Sequence, residues 1–553
     1  MNVRLSDFLL FLYRRSPGRM IVVACVSLLS GVCSAGVLAL INRALQGNRE
    51  DTWHLGIGFA VCVLGKLVTR VHSQMMLARM SQDTMYDLTF CLCGKIVASP
   101  FRQAETQGPA RVMTVLNDDI GALGWSIQSL PQLMTNIAIV IVCGGYLAWL
   151  SWTAFLSIVG VTILGISGYQ WFHMRTFSDM RASREARTHL YEHFRALTDG
   201  LKELLMHPER RQEFLDHEVR RAAELYRCTN IEAAKKHAVK ESWSHVAFYL
   251  MIGSIIFVFP SLFSLSPESL IGYTVVMLYM MSPIWGIVGA LPPLERGLIA
   301  YDHILKFERA LDEVSYDVGS VPLSGRRSAA TVILDQVMFT YSDPEKRMEP
   351  FSLGPINLTI RPGELVFIVG GNGSGKSTFV KMLAGLYVPH HGDIYVSGVK
   401  IVQENREWYR THYSIVFSDF YLFQKLFGIE GEDVDSLARE QLASLQLDHK
   451  VEVKDRQYST IDLSQGQRKR LALVTAYLEN RPIYVFDEWA ADQDPQYKEI
   501  FYRKLLPDLR SRGKSVIVIT HDDRYFELGD RVVKLEEGKI VESWTPQHGV
   551  AKI

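Results

Sequence analysis

The residues best suited to chemistry lie in the second half of the chain. Gly370-Gly371-Asn372-Gly373-Ser374-Gly375-Lys376-Ser377-Thr378 has the spacing GxxxxGK[ST]. Glycines at these positions let backbone N–H groups wrap closely around a phosphate chain. Lys376 is expected to reach the β- and γ-phosphates, and the Ser377 hydroxyl to hold Mg²⁺. The flanks suit that role. Glu364–Val369 reads as a strand and Lys376–Leu386 as a helix, whose N-terminus faces the anion with its own partial charge. A second apolar strand, Pro482–Phe486, delivers Asp487 and Glu488 at its carboxyl end, the edge at which open α/β sheets bind ligands. Asp487 is expected to support Mg²⁺ through its water shell. Glu488 is placed to polarise an attacking water as general base.

The elements that carry these residues divide the chain in two. Its 553 residues exceed one ordinary domain. Net charge is zero with a pI near 7.3, so nothing argues for a nucleic-acid partner. All seven cysteines lie in the first half, and Cys91 with Cys93 makes only a CxC, which is no zinc-site spacing. The first 300 residues hold every long apolar run. Met20–Ile41 is free of charge and long enough to cross a bilayer core of ~30 Å. Five more runs follow: Leu55–His72, Ile127–Leu150, Trp152–Phe172, Val246–Phe263 and Leu270–Leu291. Arg4, Arg14, Arg15 and Arg19 precede the first run. The segments 73–126 and 173–245 are long and charged, whereas the linkers 42–54, 151 and 264–269 are short and hold Arg43 and Arg49 as their only Lys or Arg. The positive-inside rule then places both termini and both long segments in the cytoplasm. Met80–Ala98 and Thr188–Ala238 carry apolar residues at helical spacing. The expected fold is an α-helical six-span membrane domain over 1–311, a linker over 312–330, and an α/β P-loop nucleotide-binding domain over 331–553.

Leu463-Ser464-Gln465-Gly466-Gln467 lies between the two phosphate-site motifs and resembles the LSGGQ segment of the ATP-binding-cassette superfamily, with Gln465 in place of a glycine. Other positions match in order. Tyr341 resembles the aromatic that stacks on adenine, Asp494 the D-loop aspartate, and His521 the switch histidine that contacts the γ-phosphate. This resemblance spans residues 331–545 and implies an antiparallel β subdomain and a helical subdomain beside the P-loop core. It also implies that ATP and Mg²⁺ are bound, with Lys376, Glu488 and His521 as the catalytic set. The superfamily's Q-loop glutamine is replaced by Ser418, whose shorter hydroxyl reaches less far toward Mg²⁺; Asp419 is the other candidate there. The resemblance further implies a dimer, in which Ser464, Gln465, Gly466 and Gln467 of one copy close over the phosphate loop of another. A homodimer is the simplest form, and a heterodimer stays open. Ser99-Pro100-Phe101 through Gly108-Pro109 resembles the exporter loop that plugs into the ATPase, with Leu204–Phe214 as its counterpart.

Cargo is less legible. Spans followed by a fused cassette resemble exporters rather than importers. Asp487 through Pro495, Phe501-Tyr502, Leu505 through Leu509 and His521 through Phe526 are similar to the bacterial cyclic-peptide exporter group, which includes pyoverdine-type siderophore exporters. That implies a peptide-like substrate, passed across the inner membrane with or without accessory export proteins. Lys66 lies well inside the second apolar run. It reads equally as a contact for an anionic substrate or as a side chain reaching toward the lipid interface. A lipid or multidrug flippase shares this architecture, and a membrane sensor is the reading from another class.

Overall fold

The computed structural model describes residues 5–46, 52–263, 267–312, 330–341, 351–429, 431–546 and 549–552. The expected linker, 313–329 apart from its ends, lies outside them, as do Arg4 and Arg49. The chain forms two compact units. One comprises Met1–Cys91 with Met113–Lys306, the other Leu92–Val112 with Phe307–Ile553. The segment 92–112 therefore packs with the ATPase half.

The first unit is helical. Its principal helices are Pro17–Gln46, Thr52–Ala98, Ile120–Leu150, Trp152–Asp199, Arg220–Phe257 and Pro267–Asp312. Four stretches are long and apolar enough to cross a membrane: Pro17–Ala44, Trp53–Ala98, Phe101–Leu150 and Leu270–Leu311. Trp152–Leu164 and His245–Ser261 are shorter apolar helices, so four of the six expected runs meet that standard among the described residues. Ser151 is extended and caps the helix that follows, through a 3.5 Å bond from the Ala154 N–H to its hydroxyl. Thr188–Ala238, expected to be helical, is built from several helices: Gly200 ends Trp152–Asp199, and His207 separates the short helices Leu201–Met206 and Pro208–Glu213.

Packing in this unit depends on glycine. A methyl group at Gly286 would lie 2.0 Å from Asn136 Nδ2, and one at Gly297 would lie 2.3 Å from Ser126 Oγ. At Gly272 it would lie 3.0 Å from Asn42 Nδ2, and at Gly31 2.8 Å from Ala138 Cβ. Small residues let helices approach where lipid offers no hydrophobic drive toward association. Here the notches on Pro267–Asp312 receive polar side chains from two other helices. Tyr273 adds a direct tie, its hydroxyl lying 2.7 Å from the carbonyls of both Leu147 and Ser151.

The second unit is built on three sheets. Its strands are β1 (Val332–Thr340), β2 (Ser352–Ile360), β3 (Leu365–Val369), β4 (His391–Val396), β5 (Val399–Lys400), β6 (Tyr413–Val416), β7 (Val453–Lys454), β8 (Gln457–Tyr458), β9 (Ile483–Asp487), β10 (Ser515–Ile519), β11 (Arg531–Glu536), β12 (Lys539–Thr545) and β13 (Gly549–Lys552). The antiparallel sheet runs β2-β1-β4-β5 and the large sheet β13-β12-β11-β3-β10-β9-β6; β7 and β8 pair alone. β11, β3, β10, β9 and β6 are parallel. Every residue of β3, β9 and β10 is buried. This is why those segments read as unbroken apolar runs rather than alternating ones. Helices Val434–Ser444 and Gln465–Glu479 pack together beside this sheet, sharing the core of Leu442, Leu445, Leu471 and Phe486.

Candidate nucleotide site

Strand order brings the candidate residues together. β3, β10 and β9 are neighbours, with Ile519 opposite both Ile368 and Asp487. The loop after β3, His521 after β10 and Glu488 after β9 therefore emerge at one edge. Two cross-links hold that edge: the Thr520 N–H to the Ile368 carbonyl at 3.2 Å, and the Glu488 N–H to the Ile519 carbonyl at 3.1 Å.

The phosphate loop has the conformation its glycines allow. Gly370 has φ 156°, Gly373 79° and Gly375 98°, values L-residues rarely adopt. A methyl at Gly370 would lie 2.3 Å from the Leu535 carbonyl oxygen, and one at Gly375 2.8 Å from the Phe351 ring. Gly375 leads into helix Lys376–Leu383, shorter than the expected 376–386. Lys376 is buried, and its ammonium donates to the loop's own carbonyls at Gly370 (2.9 Å) and Gly371 (3.0 Å). Ser374 Oγ is buried with no hydrogen-bond partner among the described residues. An unsatisfied buried hydroxyl is costly, and here it lies inside the anion cradle. Asn372 and Ser377 are exposed, and Thr378 is buried.

Asp487 is buried, and the Ser418 hydroxyl donates to its Oδ2 at 3.1 Å. Burial pushes the Asp487 carboxyl up, the Ser418 bond draws it back, and neighbouring Glu488 raises it again. A carboxylate that is costly to bury alone suits a site designed for a cation. Glu488 has φ 51°, a left-handed conformation uncommon outside glycine and frequent at functional sites. Its Oε1 lies 3.3 Å from His521 Nε2. Trp489 anchors the next position, fully buried, stacked on Phe501 at 4.3 Å and donating to the Lys469 carbonyl at 2.8 Å.

Lys469 is a residue that motif reading missed. Its buried ammonium donates to the Glu488 carbonyl at 3.0 Å and pairs with Asp492 at 2.7 Å. The available signal was its position four residues after Gln465, which puts both on one helix face. The same link ties the LSQGQ segment to the loop after β9. Gln465 Nε2 donates to Asp492 at 3.2 Å, and Gln493 Nε2 to the Gly466 carbonyl at 3.0 Å. Ser464 precedes helix Gln465–Glu479, and its N–H donates to Gln467 Oε1 at 3.3 Å. Ser464 and Gln465 are exposed. Asp494 is exposed and opens helix Pro495–Ile500. Tyr341 is half-buried, its hydroxyl 3.2 Å from Thr378 Oγ1 and 3.3 Å from that of Tyr387. Asp419 is exposed. Lys66 lies in the other unit and donates to the Tyr279 hydroxyl at 2.8 Å, so its ammonium points at the last apolar helix.

A glycine cradle, a buried lysine and a carboxylate pair at the carboxyl edge of a parallel sheet define a P-loop ATPase, here on the same chain as apolar helices of membrane-crossing length. Residues 353–491 match the family model described as ABC transporter. The chain is 35% identical to the ATP-binding protein SyrD of Pseudomonas syringae pv. syringae, across 98% of this chain and 97% of that one. It is 23% identical to the ATP-dependent lipid A-core flippase of Bordetella pertussis, across 94% and 86% of the two chains. A solved structure of a bacterial Atm1-family ABC exporter with ATP bound shares the fold, with TM-score 0.70 over 97% of this chain and 95% of that one, at 18% identity. The chain belongs to the ABC transporter family, has the exporter fold, and is an ATP-hydrolysing translocase.

Proposed function

We propose that the protein is a half-transporter that pairs with a second copy and uses ATP to export a peptide-like molecule, a cyclic peptide or siderophore precursor, across the inner membrane. The observation that carries the ATP-driven part is the joint emergence of the phosphate loop, Glu488 and His521 at one sheet edge, with Glu488 and His521 3.3 Å apart. In this reading Lys376 leaves the Gly370 and Gly371 carbonyls to take the β- and γ-phosphates. Glu488 accepts the proton of the attacking water, and His521 holds both that carboxylate and the γ-phosphate. Ser377, Asp487 and Ser418 would hold Mg²⁺, which would neutralise phosphate charge. Ser418 reaches Asp487 directly, so the short side chain acts on the carboxylate where a glutamine would extend past it.

Exposure of Ser464 and Gln465 on the single chain supports the pairing, because a segment that closes over another copy's phosphates must face outward. All six apolar runs span the membrane in this proposal, with both termini cytoplasmic. Helix Phe101–Met113 breaks at Gly108 (φ 70°), as the exporter-type transverse helix requires, and moves with the ATPase. ATP closure then shifts the membrane helices between two packings. The peptide assignment rests on the similarity of 487–495, 501–509 and 521–526 to cyclic-peptide exporters. Lys66, whose ammonium meets the neutral phenol of Tyr279, suits a carboxylate on such cargo. Similarity to a lipid A-core flippase over 94% of the chain favours an amphiphilic lipid as the second reading. The test is untargeted comparison of exported molecules from cells making wild-type or Lys376→Ala protein. A peptide lost from the medium in the variant supports the proposal; a lipid change alone supports the second reading.

A further inference from the structure

The unit that holds the nucleotide site also holds residues 92–112, and one side chain of that segment is wired to the phosphate-loop helix. Glu105 uses its two oxygens differently. Oε1 pairs with Lys381 at 2.7 Å, and Oε2 accepts from the Tyr387 hydroxyl at 2.6 Å. Tyr387 is buried and stacked on Phe339, with centroids 4.6 Å apart and planes at 11°. Its hydroxyl also lies 3.3 Å from that of Tyr341, which in turn lies 3.2 Å from Thr378 Oγ1. Thr378 is in the first turn of helix Lys376–Leu383, two residues after Lys376.

The direction of this chain follows from proton counting. A phenol has one proton to give, and an ionised carboxylate can only accept. Tyr387 gives its proton to Glu105, so it accepts from Tyr341. Tyr341 has then spent its own proton and accepts from the Thr378 hydroxyl. Each bond fixes the sense of the next, and aligned bonds of this kind reinforce one another in a low-dielectric setting. Burial and the Glu105 bond both push the Tyr387 phenol up, which keeps its proton in place. The last bond orients Thr378 beside the phosphate cradle, and the middle one holds the half-buried Tyr341 ring.

We propose that Glu105 is a positioning residue for the nucleotide, acting through the Tyr387 and Tyr341 hydroxyls to set the Tyr341 ring and Thr378 at the phosphate loop. This rests on the ATP-site reading above and deepens it. A cytoplasmic segment between two apolar helices would thereby tune ATP affinity by its seating. The effect belongs to binding rather than bond cleavage, because neither Glu488 nor His521 is in the chain of bonds.

The test is ATP-dependent turnover by the purified full-length protein in lipid nanodiscs, with KM and kcat separated. Tyr387→Phe keeps the stacked ring and removes only the hydroxyl. It is expected to raise KM for ATP about fivefold, the scale of one ordinary net hydrogen bond, with kcat within about twofold. Glu105→Ala is expected to match it, and because its side chain is 37% exposed the fold does not lean on it. Glu105→Gln retains an acceptor oxygen and is expected to restore most of the affinity. The double variant Glu105→Ala/Tyr387→Phe is expected to be no worse than either single one. Tyr341→Phe is expected to make Glu105→Ala silent. An unchanged KM in Tyr387→Phe, effects that multiply in the double variant, or a fall in kcat at constant KM would each overturn the relay. Failure of the underlying reading has a different signature, since wild-type protein itself would then hydrolyse no ATP.

Discussion

The two units bury polar groups for opposite ends. In the ATPase unit, buried polar side chains converge on one sheet edge: Lys376 rests on its own loop carbonyls, Ser374 lies in the same loop, and Asp487 is held by Ser418. In the membrane unit, Asn42, Ser126 and Asn136 are buried against glycine backbone on Pro267–Asp312, where they fix the approach of helices. The first arrangement gathers polar groups around one site. The second spends its polarity on packing. The chemistry of the cassette is therefore readable from types and spacing, whereas polarity in the membrane helices does not by itself point to cargo.

This contrast can be broken experimentally. The largest effect is expected at Glu488→Gln, which keeps shape and removes the base. Turnover should fall roughly 10²- to 10⁴-fold while ATP still binds, as measured by release of phosphate and by retention of labelled ATP. Next comes Gly375→Val. Its side chain would meet the Phe351 ring and carry φ 98°, so ATP retention itself should be lost, a result that separates cradle from base. In the membrane unit, Gly286→Ala forces a methyl onto Asn136 Nδ2. It should cost about 1–3 kcal/mol in detergent unfolding, and Asn136→Ala should recover much of that loss in the double variant. Were Asn136 a cargo ligand instead of a packing knob, the double variant would be stable yet fail to export.

The smallest effect is expected at Ser418→Ala, with turnover lowered a few-fold by loss of about one hydrogen bond. Its pH profile is more telling. The Ser418 bond favours ionised Asp487, while burial and Glu488 favour the protonated form. Removing the hydroxyl leaves the Ser418 backbone bond alone against burial, Glu488 and Asp419, which push the carboxyl up. Activity that needs the carboxylate should then begin to fail at a higher pH on the acid side. An acid limb that stays in place would mean that Ser418 acts elsewhere.

Much of the cassette was legible because its determinants are local. Expected strands at 364–369 and 482–486 appear within a residue of Leu365–Val369 and Ile483–Asp487, since fully buried parallel strands must be apolar throughout. The phosphate loop was legible because only glycine tolerates its positive φ values. What sequence could not show is set by contacts far apart in the chain. The Lys469 link to Glu488 and Asp492, the Ser418 bond to Asp487 and the Glu105–Tyr387 bond join residues 19 to 282 positions apart. Helical spacing persists through 188–238 and does not show where its helices end. Gly200 and His207-Pro208 break it locally, a punctuation that apolar periodicity ignores.

Turnover of ATP by the purified full-length protein in nanodiscs, with and without the loop lysine, bears most directly on the whole account. Wild-type protein should release phosphate in the presence of Mg²⁺, and Lys376→Ala should fall to background with its membrane helices intact. Equal rates in the two proteins, or none in either, would contradict the assignment of this sheet edge as the motor.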